Sequence, residues 1–145
     1  AFGHGPLQTS LGLQDNLQLQ PGFNPRTMAL AQELRRTHGA GPEHARALVD
    51  AALDRLRTGG YVYTLEPGVY GQHTADEFWF DRKRGFCEHI ASAFVVLMRA
   101  MDIPARVVTG YQGGELNGVD GYWTVRQRDA HAWTEVWLQG EGWVR

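Results

Sequence analysis

The sequence predicts an α+β domain in which helices come first and one apolar helix then packs on an antiparallel sheet. Three observations predict it. Between positions 24 and 58, two segments carry apolar residues at helical spacing. A long apolar run, Ile90 to Met101, reads as a buried helix. Strand-like segments rich in Val, Trp and Tyr then crowd into the last third of the chain, separated by glycine-rich turns. At 145 residues the chain is expected to be a single domain, 1–145, that buries about two thirds of the surface its unfolded form exposes. A hydrophobic fraction of 43% suits an ordinary core.

Each element has its own signal. Positions 1–22 are rich in Gln, Gly and Pro and read as a lead-in segment, pinned to the core by Leu11, Leu13, Leu17 and Leu19. Asn24-Pro25 supplies an N-cap and a proline at the first helical position, starting a helix that runs to about His38. Gly39-Ala40-Gly41 breaks it. Pro42 starts a second helix to about Thr58, with Ala45, Leu48, Val49, Ala52, Leu53 and Leu56 on one face, and Gly59-Gly60 stops it. Tyr61 to Leu65 is a short strand closed by Pro67-Gly68. Val69 to Gly85 is a long irregular segment with a turn of helix around Asp76 to Phe80; loops of that length in small domains are usually functional. The helix that opens at Cys87 ends near Met101, before Pro104. Ala105 to Tyr111, Tyr122 to Gln127 and Ala130 to Leu138 are strands, with a hairpin loop at Gln112 to Gly121. Trp143-Val144-Arg145 begins another strand after the Gly140-Glu141-Gly142 turn.

Composition excludes several functions. A formal net charge of −2 gives no basic field for nucleic acid or an anionic membrane, and Arg82-Lys83-Arg84 is too short to change that. Ser92 and Arg99 interrupt the longest apolar stretch, which is too short to span a bilayer. The first residues show no basic-then-apolar signal pattern. His38 and His44 flank a turn with no further ligands, so no metal is expected there, and no motif asks for a cofactor. The glycines of Gly110 to Gly118 lack the strand-to-helix setting of a phosphate loop. Ser10 and Ser92 have no nucleophile-elbow context.

What remains is Gly85-Phe86-Cys87-Glu88-His89 and Asp129-Ala130-His131-Ala132-Trp133. Cys87 is the only cysteine, which rules out a disulfide within the chain and any cysteine-rich zinc site. A lone cysteine is often just a small buried hydrophobe. Here it opens a helix, where unpaired backbone N–H groups and the helix dipole favour thiolate over thiol. A sequence-distant histidine, His131, stands on a predicted strand beside an acid, which outlines a thiol nucleophile and its base. His89 is nearer, but two residues along a helix turn a side chain by about 200°, so it reads as a cleft-edge or packing residue.

The chain resembles the bacterial transglutaminase-like superfamily, and within it a membrane-anchored group. The resemblance rests on Gly85-Phe86-Cys87-Glu88-His89 with Ala91, Arg99-Ala100, Ile103 through Tyr111, and Asp129 through Trp137. Tyr63-Thr64-Leu65 and Phe78-Trp79-Phe80 also fit it, and it covers roughly Pro25 to the end. It implies a papain-like core and a Cys-His-Asp triad, with Cys87 as nucleophile and His131 as base. The glycine usual before Ile-Pro-Ala-Arg is Asp102 here, a residue that tolerates a left-handed helix end. The family's triad aspartate falls shortly after Gly-Trp-Val-Arg, so it is expected beyond Arg145, and the C-terminal end of the core is missing from this sequence. Asp129, two residues before His131, is a weak surrogate on the same strand face. Glu135 shares that face, but about 13 Å away along an extended strand.

The expected activity is acyl transfer on carboxamides through a thioester at Cys87, with a protein or peptide amide as donor and an amine or water as acceptor. Oxyanion donors would be the Cys87 N–H and either Trp79 or Tyr63, with Trp133 on the cleft wall. The rival readings are a cysteine protease or amidase of the same fold, and a silent peptide- or glycan-binding module. The resemblance further implies a domain outside the cytoplasm, tethered by membrane helices of its parent protein.

Overall fold

The structure, a computed structural model, describes residues 15–111, 115–116, 123–124 and 130–144; between 110 and 131 it describes backbone alone. Helix α1 is Pro25–His38, a 3₁₀ turn follows at Pro42–His44, and α2 is Ala45–Thr58. Proline 42 therefore opens only the turn, and the α-helix proper begins three residues later.

The cap of α1 differs from the sequence expectation. Asn24 adopts a left-handed conformation, φ 56°, and its side chain does not cap its own helix. Its Oδ1 instead accepts hydrogen bonds from the Ala75 and Asp76 N–H groups, at 3.0 and 3.2 Å. These open the one-turn helix α3, Thr74–Asp76. Asp76 returns the bond: its carboxylate accepts from the N–H groups of Arg26 (3.0 Å) and Thr27 (2.6 Å) and from the Thr27 hydroxyl (2.7 Å). Each polar side chain caps the other's helix, satisfying orphan donors at both N-termini. The segment that precedes Cys87 is thereby fastened to α1.

Strand β1 is only Val62–Tyr63 and pairs in parallel with β2, Arg84–Gly85. Between them, α3 runs into a π-helical turn, Glu77–Arg82, closed by the i→i+5 bond from Lys83 N–H to the Phe78 carbonyl at 3.1 Å. Lys83 then takes a left-handed conformation, φ 54°, and turns the chain back into β2.

Helix α4, Cys87–Ala100, buries Ala91, Ala93, Phe94, Val95, Leu97 and Met98 and forms the centre of the core. It ends at Asp102 in the left-handed conformation the motif comparison anticipated, φ 65°. Arg99 Nε donates to the Ala105 carbonyl at 2.9 Å, which ties that end of the helix to the sheet.

The sheet is antiparallel, ordered β3–β6–β7, with β3 at Ala105–Tyr111, β6 at Ala130–Leu138 and β7 at Gly142–Val144. Two short strands, β4 (Glu115–Leu116) and β5 (Trp123–Thr124), form a separate antiparallel pair. Ala105 pairs with Val136 and Tyr111 with Ala130, so β6 runs the whole length of β3. On one face of β6, Ala132, Val136 and Leu138 are buried, and the Thr134 hydroxyl donates to the Ala91 carbonyl of α4 at 3.1 Å. On the other face Glu135, 2% exposed, accepts two bonds on Oε1 from its cross-strand partner Arg106, at 2.8 and 3.0 Å. The Arg106 guanidinium lies 3.8 Å from the centre of the Trp143 ring. The lead-in segment touches the same sheet, since Ala105 N–H donates to the Asn16 carbonyl at 3.0 Å.

Candidate active site

Cys87 is the first residue of α4 and is half-buried. The residue before it, Phe86, is extended (φ −97°, ψ −176°) and offers no side-chain cap. Its carbonyl accepts from the N–H groups of His89 and Ile90, at 2.9 and 3.2 Å. The Cys87 and Glu88 amides precede any intrahelical partner, as at every helix start.

The turn that delivers Cys87 is held tightly. Val62 N–H donates to the Lys83 carbonyl and Thr64 N–H to the Gly85 carbonyl, both at 2.9 Å. The Tyr70 hydroxyl donates to the Arg84 carbonyl at 2.5 Å. A Cβ on Gly85 would fall 2.5 Å from His89 Cβ, closer than real contacts allow, so only glycine fits there. His89 itself packs between Phe86 (ring centres 4.4 Å apart) and Tyr70 (4.7 Å). It is the packing residue the helical rotation implied. Burial pushes its imidazole below the ordinary range, partly offset by the Glu88 carboxylate. Burial likewise raises the phenol of Tyr70.

Across the cleft stands β6. Ala132 N–H donates to Cys87 Sγ at 3.2 Å, joining residues 45 apart in sequence. His131 is the preceding strand residue and lies opposite Gly110. The structure therefore brings the Cys87 sulfur to the backbone beside His131; the His131 side chain lies outside the description, as does Asp129 altogether.

A cleft of about 360 Å³ opens at this point. Cys87, Tyr63 and Trp133 line it, together with Ile90 and Phe94 of α4 and Leu53 of α2. The α2 contribution was not visible in the sequence, where Leu53 and Leu56 read only as an apolar helix face.

Trp79 is a correction. It was expected to offer its indole N–H to an oxyanion. Instead it is fully buried and donates that N–H to the Ala93 carbonyl at 3.2 Å, while its own carbonyl accepts from the Tyr61 hydroxyl at 2.7 Å. Its role is to join the π-helical turn to α4. Tyr63, 59% exposed, keeps its place at the cleft. Glu135 is occupied by Arg106, which removes it as a free carboxylate for His131.

A family model described as the transglutaminase-like superfamily matches residues 28–145. The chain is 50% identical over 129 residues to a protein-glutamine gamma-glutamyltransferase of Pseudomonas aeruginosa, covering 89% of this chain and 19% of that protein. It is 33% identical over 135 residues to YebA of Bacillus subtilis, covering 88% of this chain and 18% of that one. The crystal structure of the periplasmic domain of TgpA from Pseudomonas aeruginosa matches with a TM-score of 0.82 at 47% identity, over 94% of this chain and 46% of that one. The chain thus spans about a fifth of the length of these two curated relatives and about half of the TgpA domain. The α+β, papain-like core implied by the motifs is the fold observed.

Proposed function

The chain belongs to the transglutaminase-like superfamily, and on that premise we propose that it carries out cysteine-dependent acyl transfer on carboxamides, with Cys87 as nucleophile and His131 as base. The observation that carries this reading is the 3.2 Å hydrogen bond from Ala132 N–H to Cys87 Sγ, which sets the only thiol of the chain against the strand residue next to His131.

The Cys87 sulfur attacks the carbonyl carbon of a glutamine-type side chain, and the negative charge moves to the carbonyl oxygen. The Cys87 backbone N–H and the Tyr63 phenol are the donors for that oxyanion. His131 takes up the thiol proton and passes it to the departing nitrogen, so ammonia leaves and a thioester forms. A primary amine then yields an isopeptide bond; water yields the free acid. Orientation of His131 falls to the carboxylate that the family resemblance implies after Arg145, with Asp129 as the surrogate within this sequence.

The substrate is a protein or peptide bearing an accessible amide side chain. The Pseudomonas relative is named for glutamine gamma-glutamyl transfer, and the same class of donor is proposed here. The TgpA domain is periplasmic, which supports placing this domain on the outer side of the inner membrane. Among the described residues no helix is long and apolar enough to cross a membrane.

The test is ammonia release and incorporation of a fluorescent amine into a glutamine-containing peptide. Cys87→Ala and His131→Asn should each abolish both signals. Unchanged ammonia release in Cys87→Ala would refute the proposal. Peptide binding without turnover in the wild-type chain extended past Arg145 would favour a silent binding module.

A further inference from the structure

Ala132 occupies a strand position whose amide is turned away from β3. Trp137 N–H donates to the Pro104 carbonyl, on the β3 side. Alternation along β6 then directs the amides of residues 132, 134, 136 and 138 to the opposite edge, where β7 lies. Within the described residues β7 pairs with β6 only from Val136 to Leu138. The Ala132 amide is four residues beyond that pairing, and it points at the Cys87 sulfur.

We propose that the Ala132 main-chain amide is a catalytic donor that holds the Cys87 sulfur in its anionic form, ready for attack. The inference rests on reading Cys87 as the nucleophile. Three features support it beyond the 3.2 Å distance. The donor is fixed, because β6 is paired with β3 from Ala130 to Val136. The acceptor is fixed, because the Thr134 hydroxyl clamps β6 to α4 at the Ala91 carbonyl, one helical turn after Cys87. The bond also gains strength as charge builds on sulfur, since an N–H donates far better to a thiolate than to a thiol. A donor held in place before the reaction requires no reorganisation when the proton leaves. It also assigns a purpose to Ala132 itself: the motif places a residue with an N–H and minimal bulk immediately after the base.

The experiment replaces the residue 132 amide by an ester, inserting lactic acid at that codon by nonsense suppression. This removes the N–H and keeps the methyl side chain. The same ester exchange at Val136, whose amide faces β7, serves as the control for general loss of sheet stability. The readouts are the iodoacetamide labelling rate of Cys87 and the ultraviolet thiolate absorbance, taken as the difference from Cys87→Ala, both at neutral pH. With the ester at 132, labelling should fall about tenfold or more, the size of one hydrogen bond to a charged group, and the thiolate absorbance should fall with it. The ester at 136 should lower the melting temperature and leave both readouts unchanged. Wild-type labelling and absorbance with the ester at 132 would overturn the proposal. So would an equal loss with the ester at 136. Ala132→Pro deletes the same N–H genetically and should reproduce the labelling loss where circular dichroism shows a wild-type fold. Neither readout requires amide turnover. Loss of labelling without measurable acyl transfer would keep this inference and discard the activity proposed above.

Discussion

Arg106 and Glu135 offer a test of what holds the strand that carries His131 in place. They are cross-strand partners on β3 and β6, and both guanidinium bonds converge on one oxygen, Oε1. The side chains differ in exposure, 36% for Arg106 and 2% for Glu135. That asymmetry sets the outcome. Arg106→Met leaves a carboxylate buried with no counter-charge, and breaking a buried pair in that way costs about 3–5 kcal/mol. Glu135→Gln leaves a guanidinium that water already reaches and that still stacks on Trp143, so the cost should be about 1–2 kcal/mol. Replacing both by methionine removes the desolvated charges together and should return stability to within about 1 kcal/mol of wild type. Urea unfolding followed by circular dichroism measures all three, and for a domain of this size the Arg106→Met loss corresponds to a fall in melting temperature of about 10 °C. The same variants separate structure from catalysis. By strand alternation Glu135 shares its face with position 131, yet it is committed to Arg106. Glu135→Gln should therefore leave turnover per folded molecule within about threefold of wild type, whereas losing a triad acid acts on a scale of about ten-thousandfold. An Arg106→Met variant within about 0.5 kcal/mol of wild type, or a double variant no better than it, would refute this account of the pair.

Tyr63 and Trp79 should part ways. Trp79→Phe deletes a buried hydrogen bond and leaves a cavity, and should cost about 1–3 kcal/mol, read as a urea midpoint, with Cys87 alkylation unchanged. Tyr63→Phe, at an exposed site, should leave stability within about 0.5 kcal/mol and lower kcat by about a hundredfold. The reverse pattern would restore Trp79 as the oxyanion donor. His89 predicts a pH dependence. Its folded-state imidazole sits below the ordinary 6.5, so the unfolded chain binds the proton first. Stability should be full above that value and decline as pH falls through and below it, and His89→Phe should remove this component of the urea midpoint's pH dependence. A chain carried past Arg145 should alkylate at Cys87 faster at neutral pH than this one, and replacing the added carboxylate should reverse the gain. Equal rates would direct attention to Asp129.

The sequence made some of this legible. Proline 25 and Gly39 bracket α1, and the apolar run of α4 and the alternating residues of Ala130–Leu138 set those elements to within a residue. Cys87 and His131 stood out as candidates because their surroundings are motifs, and motifs are local. What escaped depends on contacts between distant segments. Asn24 carries the right side chain for an N-cap, but the sequence cannot say whose helix it caps; the answer lies about fifty residues away, at Ala75 and Asp76. Trp79 looked available because an indole near a nucleophile suggests a donor, and only packing reveals that the Ala93 carbonyl has taken it. Lys83 closes a π-helical turn, which has no periodicity signal because its extra residue breaks the helical repeat. The partner of Glu135 follows from the register of β3 on β6, a quantity fixed by the whole sheet.

These escaped contacts share one property: most of them use main-chain groups to place the sulfur. The Lys83 and Gly85 carbonyls fix the approach turn to β1, the Ala93 carbonyl fixes α4 to the π-helical turn, and the Ala91 carbonyl fixes α4 to β6. Side chains at the cleft then remain free to vary without moving Cys87. Such an arrangement suits a reaction in which the nucleophile must meet a base from another element within hydrogen-bond reach, because displacement of about 1 Å can cost about a hundredfold in rate. A strand register and a helix start are rigid over that distance, where a loop is not. The Ala132 amide is the point at which these constraints converge, since it belongs to the strand that carries His131 and touches the atom that would react. Loss of the Thr134 anchor should therefore slow Cys87 alkylation before it unfolds the chain.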